Sequence, residues 1–554
     1  MAKQRRDFLQ SFFPQQTIQD LVAQSQSAPA PPDAEVIALN RIGYGPRPGD
    51  VATVKKKGLK RYILEQLNPK DDQDPLLKQQ LAKARLKIKY KSKKHGSKDE
   101  NRPLRLLNAS IEQLWPLRDR KKFHRKEQQR PAAEVFAATM LRATYSKWQL
   151  REVMAEFWHN HFNVSIQTDA RIALTMPIYD REVIRKNCFG NFRDFLEDVA
   201  KSVAMQYYLD NVYSKASPAN ENYARELFEL HTLGADHYLN HLYDQWRQVP
   251  GATEGKPKGY IDEDVYEAAR AFTGWTIADG SRIKGGERLP NTGKFHYYEG
   301  WHDNYQKRVL GTEFSSNQSP MADGKKVLDL VAYHPGTAKF VCTKLCRRLV
   351  ADEPPQALID KAIATWTQHQ KSPDQIKQVL RTILLSPEFT QNWGKKVKRP
   401  FELVVSFLRA TEAQLTPHRN MNYLLQSMGY MLYQWPTPTG HPDEASYWIN
   451  SNMMLTRWNV MSTLLFGRRW HKSAKFNIRQ QMPASIKSAN QMADFWIKRI
   501  LNAEVKPQTR NMLAYYLSGG GSPAEPPFGK PKEVNFRLNA MVALIGMTPD
   551  FQWR

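Results

Sequence analysis

Cysteine is almost absent: Cys188, Cys342 and Cys346 are the only three in 554 residues. Three thiols make no disulfide framework. Cys342 and Cys346, one helical turn apart, read as core packing more readily than as metal ligands. Long apolar runs are missing too. No stretch reaches the roughly 18 apolar residues of a membrane-spanning helix, so none is expected. Alternating polar and apolar runs are few and short, which argues against an extensive sheet. The chain also lacks a glycine-rich phosphate loop, a GxSxG elbow, an HExxH pair and a paired CxxC motif. No serine or cysteine sits in a recognisable nucleophile setting, and no fixed-period repeat points to a solenoid.

Positive charge, by contrast, is abundant and uneven. The formal net charge is +26. Lys83 to His95 carries a lysine or arginine at most alternate positions and continues through Lys98, and Arg118 to Arg130 forms a second basic block. Leu86, Ile88 and Tyr90, set between lysines, suit either an exposed strand or a poorly ordered stretch. Residues 66–130 are therefore read as a basic, partly disordered insertion. Such runs are usually solvated, and otherwise they hold polyanions or anionic surfaces, here through residues 83–130.

The N-terminus carries its own signal. Arg5-Arg6-Asp7-Phe8-Leu9 resembles the core of a twin-arginine export signal, and Ala28-Pro29-Ala30 a small-residue cleavage site. An export signal needs an apolar region of about 7–15 residues between them. Ser11, Pro14, Gln15, Gln16, Gln19 and Asp20 interrupt it. Residues 1–34 are read as a segment with a degenerate signal and a linker. Cell envelope or periplasm and cytoplasm both stand as locations.

From residue 35 to 554 the expectation is a mainly α fold: one large helical domain with long irregular loops. Between Ala132 and Asn163, Val135, Phe136, Met140, Leu141, Trp148, Val153, Met154 and Phe157 recur at three- and four-residue intervals. Further helices are expected at 221–234, 262–273, 325–349, 355–369, 373–385, 398–415, 452–466, 488–501 and 534–546. Irregular loops are expected at 250–260, 276–325, 415–450 and 517–532.

Two stretches concentrate hydrogen-bonding groups among aromatics: Glu156-Phe-Trp-His-Asn-His-Phe162 and Asn220 to Gly234. In a helix Glu156 and His159 share a face, and such a Glu-x-x-His pair is the unit of di-metal carboxylate bundles. Glu226 and Glu229 have the same spacing. Glu156, His159, Glu226 and Glu229 are thus the expected ligands of a divalent Zn, Mn or Fe ion, gathered in one pocket with His302. A second Glu-x-x-His is missing, however, and His231 falls about 200° round the helix from Glu229.

A structural network is the alternative. Arg225 lies four residues from both Glu221 and Glu229, the spacing of intrahelical ion pairs, and Ser217-Pro218 suits a helix start. Buried carboxylates need Arg225 or a metal to neutralise them. In an enzyme, His159, Glu226 and Glu229 would do acid–base or metal-assisted work. Trp158, Asn160, His161, Asn220, Asn222 and Arg225 would bind around them. His302-Asp303, in a loop, reads as catalytic or as a turn. The proline-rich loop Trp435 to Asp443 offers Trp435, His441 and Asp443 to a pocket, or simply connects helices. Paired carboxylates with tryptophans such as Trp275 and Trp435 also suit glycoside cleavage.

In order along the chain, Leu39-Asn-Arg-Ile-Gly-Tyr-Gly-Pro46, Phe157 to Phe162, Asn220 to Leu227 and Ala269-Arg-Ala-Phe-Thr-Gly-Trp275 resemble the DUF1800 family. So do His302-Asp303 with Lys307 to Gly311, His334 to Lys339, Leu384 to Phe389 and Trp435 to Asp443. The resemblance covers nearly everything from residue 35. It implies a bacterial protein, commonly exported, of a family without an established activity, whose genes often stand beside those of DUF1501 proteins. The weakened signal and the long basic insertion depart from that pattern. Three readings stand: a metal-assisted or acid–base hydrolase of a polymer or envelope component, a non-enzymatic assembly or maturation partner of a DUF1501-type protein, and a polyanion-binding protein.

Overall fold

The computed structural model describes residues 31–467 and 473–554. The twin-arginine-like motif and the cleavage-like Ala28-Pro29-Ala30 lie outside them. Helix accounts for 57% of the described residues. The strands among the described residues form only isolated two-stranded antiparallel pairs. The fold is mainly α, and one hydrophobic core runs without a break from Ala38 to Phe551. No helix among the described residues is long and apolar enough to cross a membrane.

The central element is the helix Gln149–His161, buried on almost every face. Leu150, Val153, Met154, Phe157 and Trp158 meet apolar neighbours, so its polar residues must find partners inside the protein. The long periodicity expected over 132–163 is two helices, Arg130–Tyr145 and Gln149–His161. They part at Ser146, whose extended backbone and hydroxyl are held by Asp74 and Trp148.

Two segments wind as π-helix, a form often found at functional sites. Tyr179–Arg185 follows Pro177, which sits inside the helix Ala170–Ile178 and has no N–H for the ladder. Leu227–His231 follows the short helix Asn222–Glu226. The expected helix 221–234 is thus an α-turn widened into a π-turn. It does not start at Ser217: the Asn220 side chain receives the Asn222 N–H instead. It ends at Gly234, where φ is +88° and a Cβ would fall 2.6 Å from the Phe340 ring.

The insertion is ordered where partial disorder was the expectation. Arg85–Ser92 pairs in register with Gly96–Pro103. Ile88 is buried and Leu86 and Tyr90 are half-buried, while the lysines between them stay exposed. Glu127 anchors this hairpin through Tyr90 and Arg102. Other differences come from turn chemistry. The expected 325–349 helix breaks into Ala322–Ala332 and Pro335–Leu349, with the His334 ring accepting the Gly336 N–H. The expected loops 276–325 and 415–450 contain the hairpin Trp275–Asp279 with Asn291–Tyr297 and the helix Asn420–Ser427. Cys342 and Cys346 are buried, and burial pushes both thiols up, as core packing implies.

Candidate functional site

The helix Gln149–His161 sends its polar groups into separate networks. Glu156 accepts from Arg399 at 2.6 Å, Arg348 at 3.3 Å and the Tyr430 hydroxyl at 2.5 Å. Arg348, Arg399 and Arg554 also pair with Glu402. His159 Nε2 lies 3.0 Å from Asp180, which Arg142 and Arg185 also hold. Those guanidiniums and His159 keep the Asp180 carboxyl below its ordinary range against the cost of burial. Both Glu156 oxygens are taken by donors, and His159 gives Nε2 to Asp180. The expected set of Glu156, His159, Glu226 and Glu229 is not assembled. No group of three metal-ligating side chains occurs among the described residues.

His302 and Asp303 likewise belong to a network of their own. His302 faces the Thr273 carbonyl at 2.9 Å and Asp323 at 3.3 Å. Asp303 takes a bidentate pair from Arg270 at 2.8 and 3.0 Å. Lys307 closes the turn by bonding Asp323 at 2.7 Å. These contacts fix the loop, and His302 and Asp303 find their partners at Thr273, Asp323 and Arg270. Trp158 and Trp275 are fully buried core.

The C-terminal end of the central helix is different. Asn160 exchanges hydrogen bonds with the His441 backbone, donating to its carbonyl at 2.8 Å and accepting from its N–H at 2.6 Å. Asn163 donates to the carbonyls of Trp435 and Thr437. The Trp435–Asp443 loop is thereby clamped to the helix, with the Trp435 ring 4.5 Å from His441. Asp443 turns back towards Lys396 and Arg399. Tyr208 donates to Pro436 O at 3.0 Å and receives Asn163. Beyond Tyr208 stands the π-turn, where the Glu226 charge acts on the Tyr208 phenol.

On that turn Glu226 and Glu229 are half-buried, and neither forms an ion pair among the described residues. Arg225, the expected neutraliser, pairs instead with Glu221 at 3.1 Å and Asp262 at 3.4 Å. Asn222 bonds to Asp210, away from the pair. Burial, then the Glu229 charge, push Glu226 up to about 7. Burial and the Glu229 charge thus favour the protonated form of Glu226. Tyr260, whose buried hydroxyl has no partner, senses both carboxylates.

Behind the same turn, Lys344 donates to His161 Nδ1 at 2.9 Å, and His161 Nε2 donates to the His231 carbonyl at 3.1 Å. His161 is thus a neutral imidazole, kept so by burial and by Lys344. The His231 ring is buried with neither nitrogen bonded, and burial holds it down to about 3. Burial brings the half-buried Lys344 amine down to about 8. Lys344 and Tyr208 are absent from the sequence reading. Lys344 lies one turn after Phe340 on a helix whose apolar spacing points to core, and only its neighbours reveal it.

The model of the family described as "Protein of unknown function (DUF1800)" matches residues 37–553. The chain belongs to DUF1800. No curated protein and no solved structure matches it. Within this DUF1800 chain the site therefore stands on its own geometry. Phe157–Phe162, Asn220–Leu227 and Trp435–Asp443 converge through Asn160, Asn163, Tyr208 and the π-turn. The arrangement provides a proton-holding carboxyl beside an ionisable one, with a low-pKa amine on the other side of the turn.

Proposed function

We propose that this DUF1800 protein carries out acid–base chemistry at the π-turn, of the hydrolytic class. Glu226 is the proton donor and Glu229 the base, with the Trp435–Asp443 loop as the wall beside them. One observation supports the reading: a half-buried carboxyl raised to about 7 by burial and by the neighbouring Glu229, with no ion pair among the described residues. That value suits a group that must hold a proton near neutral pH and release it in a transition state. Glu156 and Asp180 are tied to guanidinium groups, and buried Asp264, raised to about 6, is tied to the backbone N–H groups of Ile261 and Leu310, whereas Glu226 has no ion pair among the described residues.

The test is turnover against chromogenic esters, phosphoesters and glycosides by the full chain and by Glu226→Gln and Glu229→Gln. Each variant should lose on the order of 10²–10⁴-fold in kcat, the usual contribution of a positioned acid or base. The pH profile of the unaltered chain should fall with a limb near pH 7. Turnover that survives Glu226→Gln would end the proposal. So would absence of turnover together with a stoichiometric partner, such as a DUF1501-type protein, co-purifying from the native host.

A further inference from the structure

The basic insertion is one wall of an open groove of about 1700 Å³. Its other walls are the start of the helix Arg130–Tyr145, residues 166–173 and residues 417–434. Nine lysine and arginine side chains line it against a single carboxylate, Asp99. Asp99 is engaged by Lys87 at 2.7 Å and Lys89 at 2.9 Å. Lys91, Arg125 and Arg419 are exposed and form no ion pair among the described residues. Lys98 and Arg130 pair with Glu100 and Glu134 outside the groove lining, and the remaining excess of positive charge is relieved by an anionic partner.

Two features narrow the partner. Lys87, Lys89 and Lys91 alternate along one strand, so their side chains repeat every ~6.8 Å on one face, a spacing suited to successive phosphates of an extended strand. Aromatic rings stand among the cations. Tyr423 is 58% exposed, one turn after Arg419 on the helix Asn420–Ser427, and Tyr90 stacks on His124 with ring centroids 4.1 Å apart. A basic groove tracking a backbone, with aromatic faces on which bases stack, is the sequence-tolerant way of holding single strands. We infer that this groove binds single-stranded nucleic acid. Its occupant would run along Leu432–Gln434, continuous in sequence with the Trp435 loop.

The experiment is fluorescence anisotropy of labelled oligo-dT with the full chain over a range of salt. Affinity should fall linearly with salt on a double-logarithmic plot. The triple variant Lys91→Glu, Arg125→Glu, Arg419→Glu, shown folded by an unchanged melting curve, should bind at least about tenfold more weakly at moderate salt. Tyr423→Ala should weaken oligo-dT about tenfold while leaving heparin retention unchanged, because stacking needs bases. No binding, or full binding by the triple variant, overturns the inference. Heparin or polygalacturonate held more tightly than oligo-dT, with Tyr423→Ala silent, overturns it in favour of an acidic polysaccharide. Glu226→Gln should leave the anisotropy unchanged, so groove and acid–base site fail separately.

Discussion

Two carboxylate pairs in this chain meet the same problem and solve it differently. Glu156 and Glu402 sit in the core among Arg348, Arg399 and Arg554. Glu226 and Glu229 sit half-buried on a π-turn with no ion pair among the described residues. In the first pair guanidinium groups surround both carboxylates, and Glu402 is held well below its ordinary range against burial, chiefly by Arg348. In the second, burial and the Glu229 charge raise Glu226 to about 7. Burial of acidic groups therefore does not mark a site. Burial without a fixed counter-charge is one route to a carboxyl raised towards neutral pH, shared by the helix-capping Asp264 at about 6, while Glu134 reaches about 7 even beside Arg130.

The strongest way to break the comparison is to take the charge out of the core. Glu156→Ala leaves Arg348 and Arg399 with an uncompensated buried charge and the Tyr430 hydroxyl without its acceptor. It should destabilise the chain by about 3–5 kcal/mol in denaturant unfolding. A loss below about 1 kcal/mol would mean that the network is loosely solvated and the contrast false.

The next effect falls on the loop that ties the two regions together. Gly440 has φ +70°, and a Cβ there would lie 2.2 Å from the Asn160 carbonyl oxygen. Gly440→Ala should cost about 2 kcal/mol and loosen the Trp435–Asp443 loop, read as faster amide exchange at residues 435–443. Exchange unchanged would show that the clamp through Asn160 and Asn163 does not depend on this close approach.

A smaller effect, opposite in pH dependence for the two regions, follows from linkage. Glu226 has a folded-state pKa of about 7, above the about 4.3 of a free glutamate. The folded state therefore binds the proton more tightly. Stability from this group is complete below pH 4.3 or so and is lost as pH rises to 7. Glu226→Gln should leave stability unchanged at pH 4 and raise it at pH 8 by ~1 kcal/mol, solvent screening of a half-buried group allowed for. Glu402 works the other way. Its folded pKa is depressed, so its stabilisation is present above the free value and lost only as pH falls through the depressed one. A Glu226→Gln gain that is the same at both pH values would show that the pair is not titrating.

The smallest change is a matter of reactivity. Lys344, brought down to about 8, should react with an acylating reagent with a midpoint near pH 8, whereas exposed lysines follow about 10.4. Residue-resolved mass spectrometry would read it. A midpoint at the ordinary value would remove Lys344 from the site.

Much of this was legible in the residues. Three- and four-residue apolar periodicity marks helices wherever they bury a face, and the family follows from long motifs in fixed order. Two of the motifs lie side by side in the fold, since Asn160 bonds His441, and His161 reaches the turn that follows Asn220–Leu227 at His231. Roles within them were less legible. Glu156 and His159 look like a ligand pair by spacing, yet each side chain already has fixed partners, from residues 348, 399 and 430 for one and from residue 180 for the other. Tyr208 and Lys344 carry no local signal because their surroundings come from distant parts of the chain.

Composition and order alone determined that this is a helical, strongly basic DUF1800 chain whose polar groups gather in a few motifs. Periodicity and motif are properties of neighbours in sequence, and neighbours are visible there. Only the tertiary structure decided which carboxylate has a guanidinium and which favours its protonated form. It also decided that the exposed lysines of the Arg85–Ser92 strand line one open groove. Charge compensation acts over a few ångströms of space and is indifferent to separation along the chain. Arg399 lies 243 residues from Glu156, and Arg225, one residue from Glu226, pairs with others.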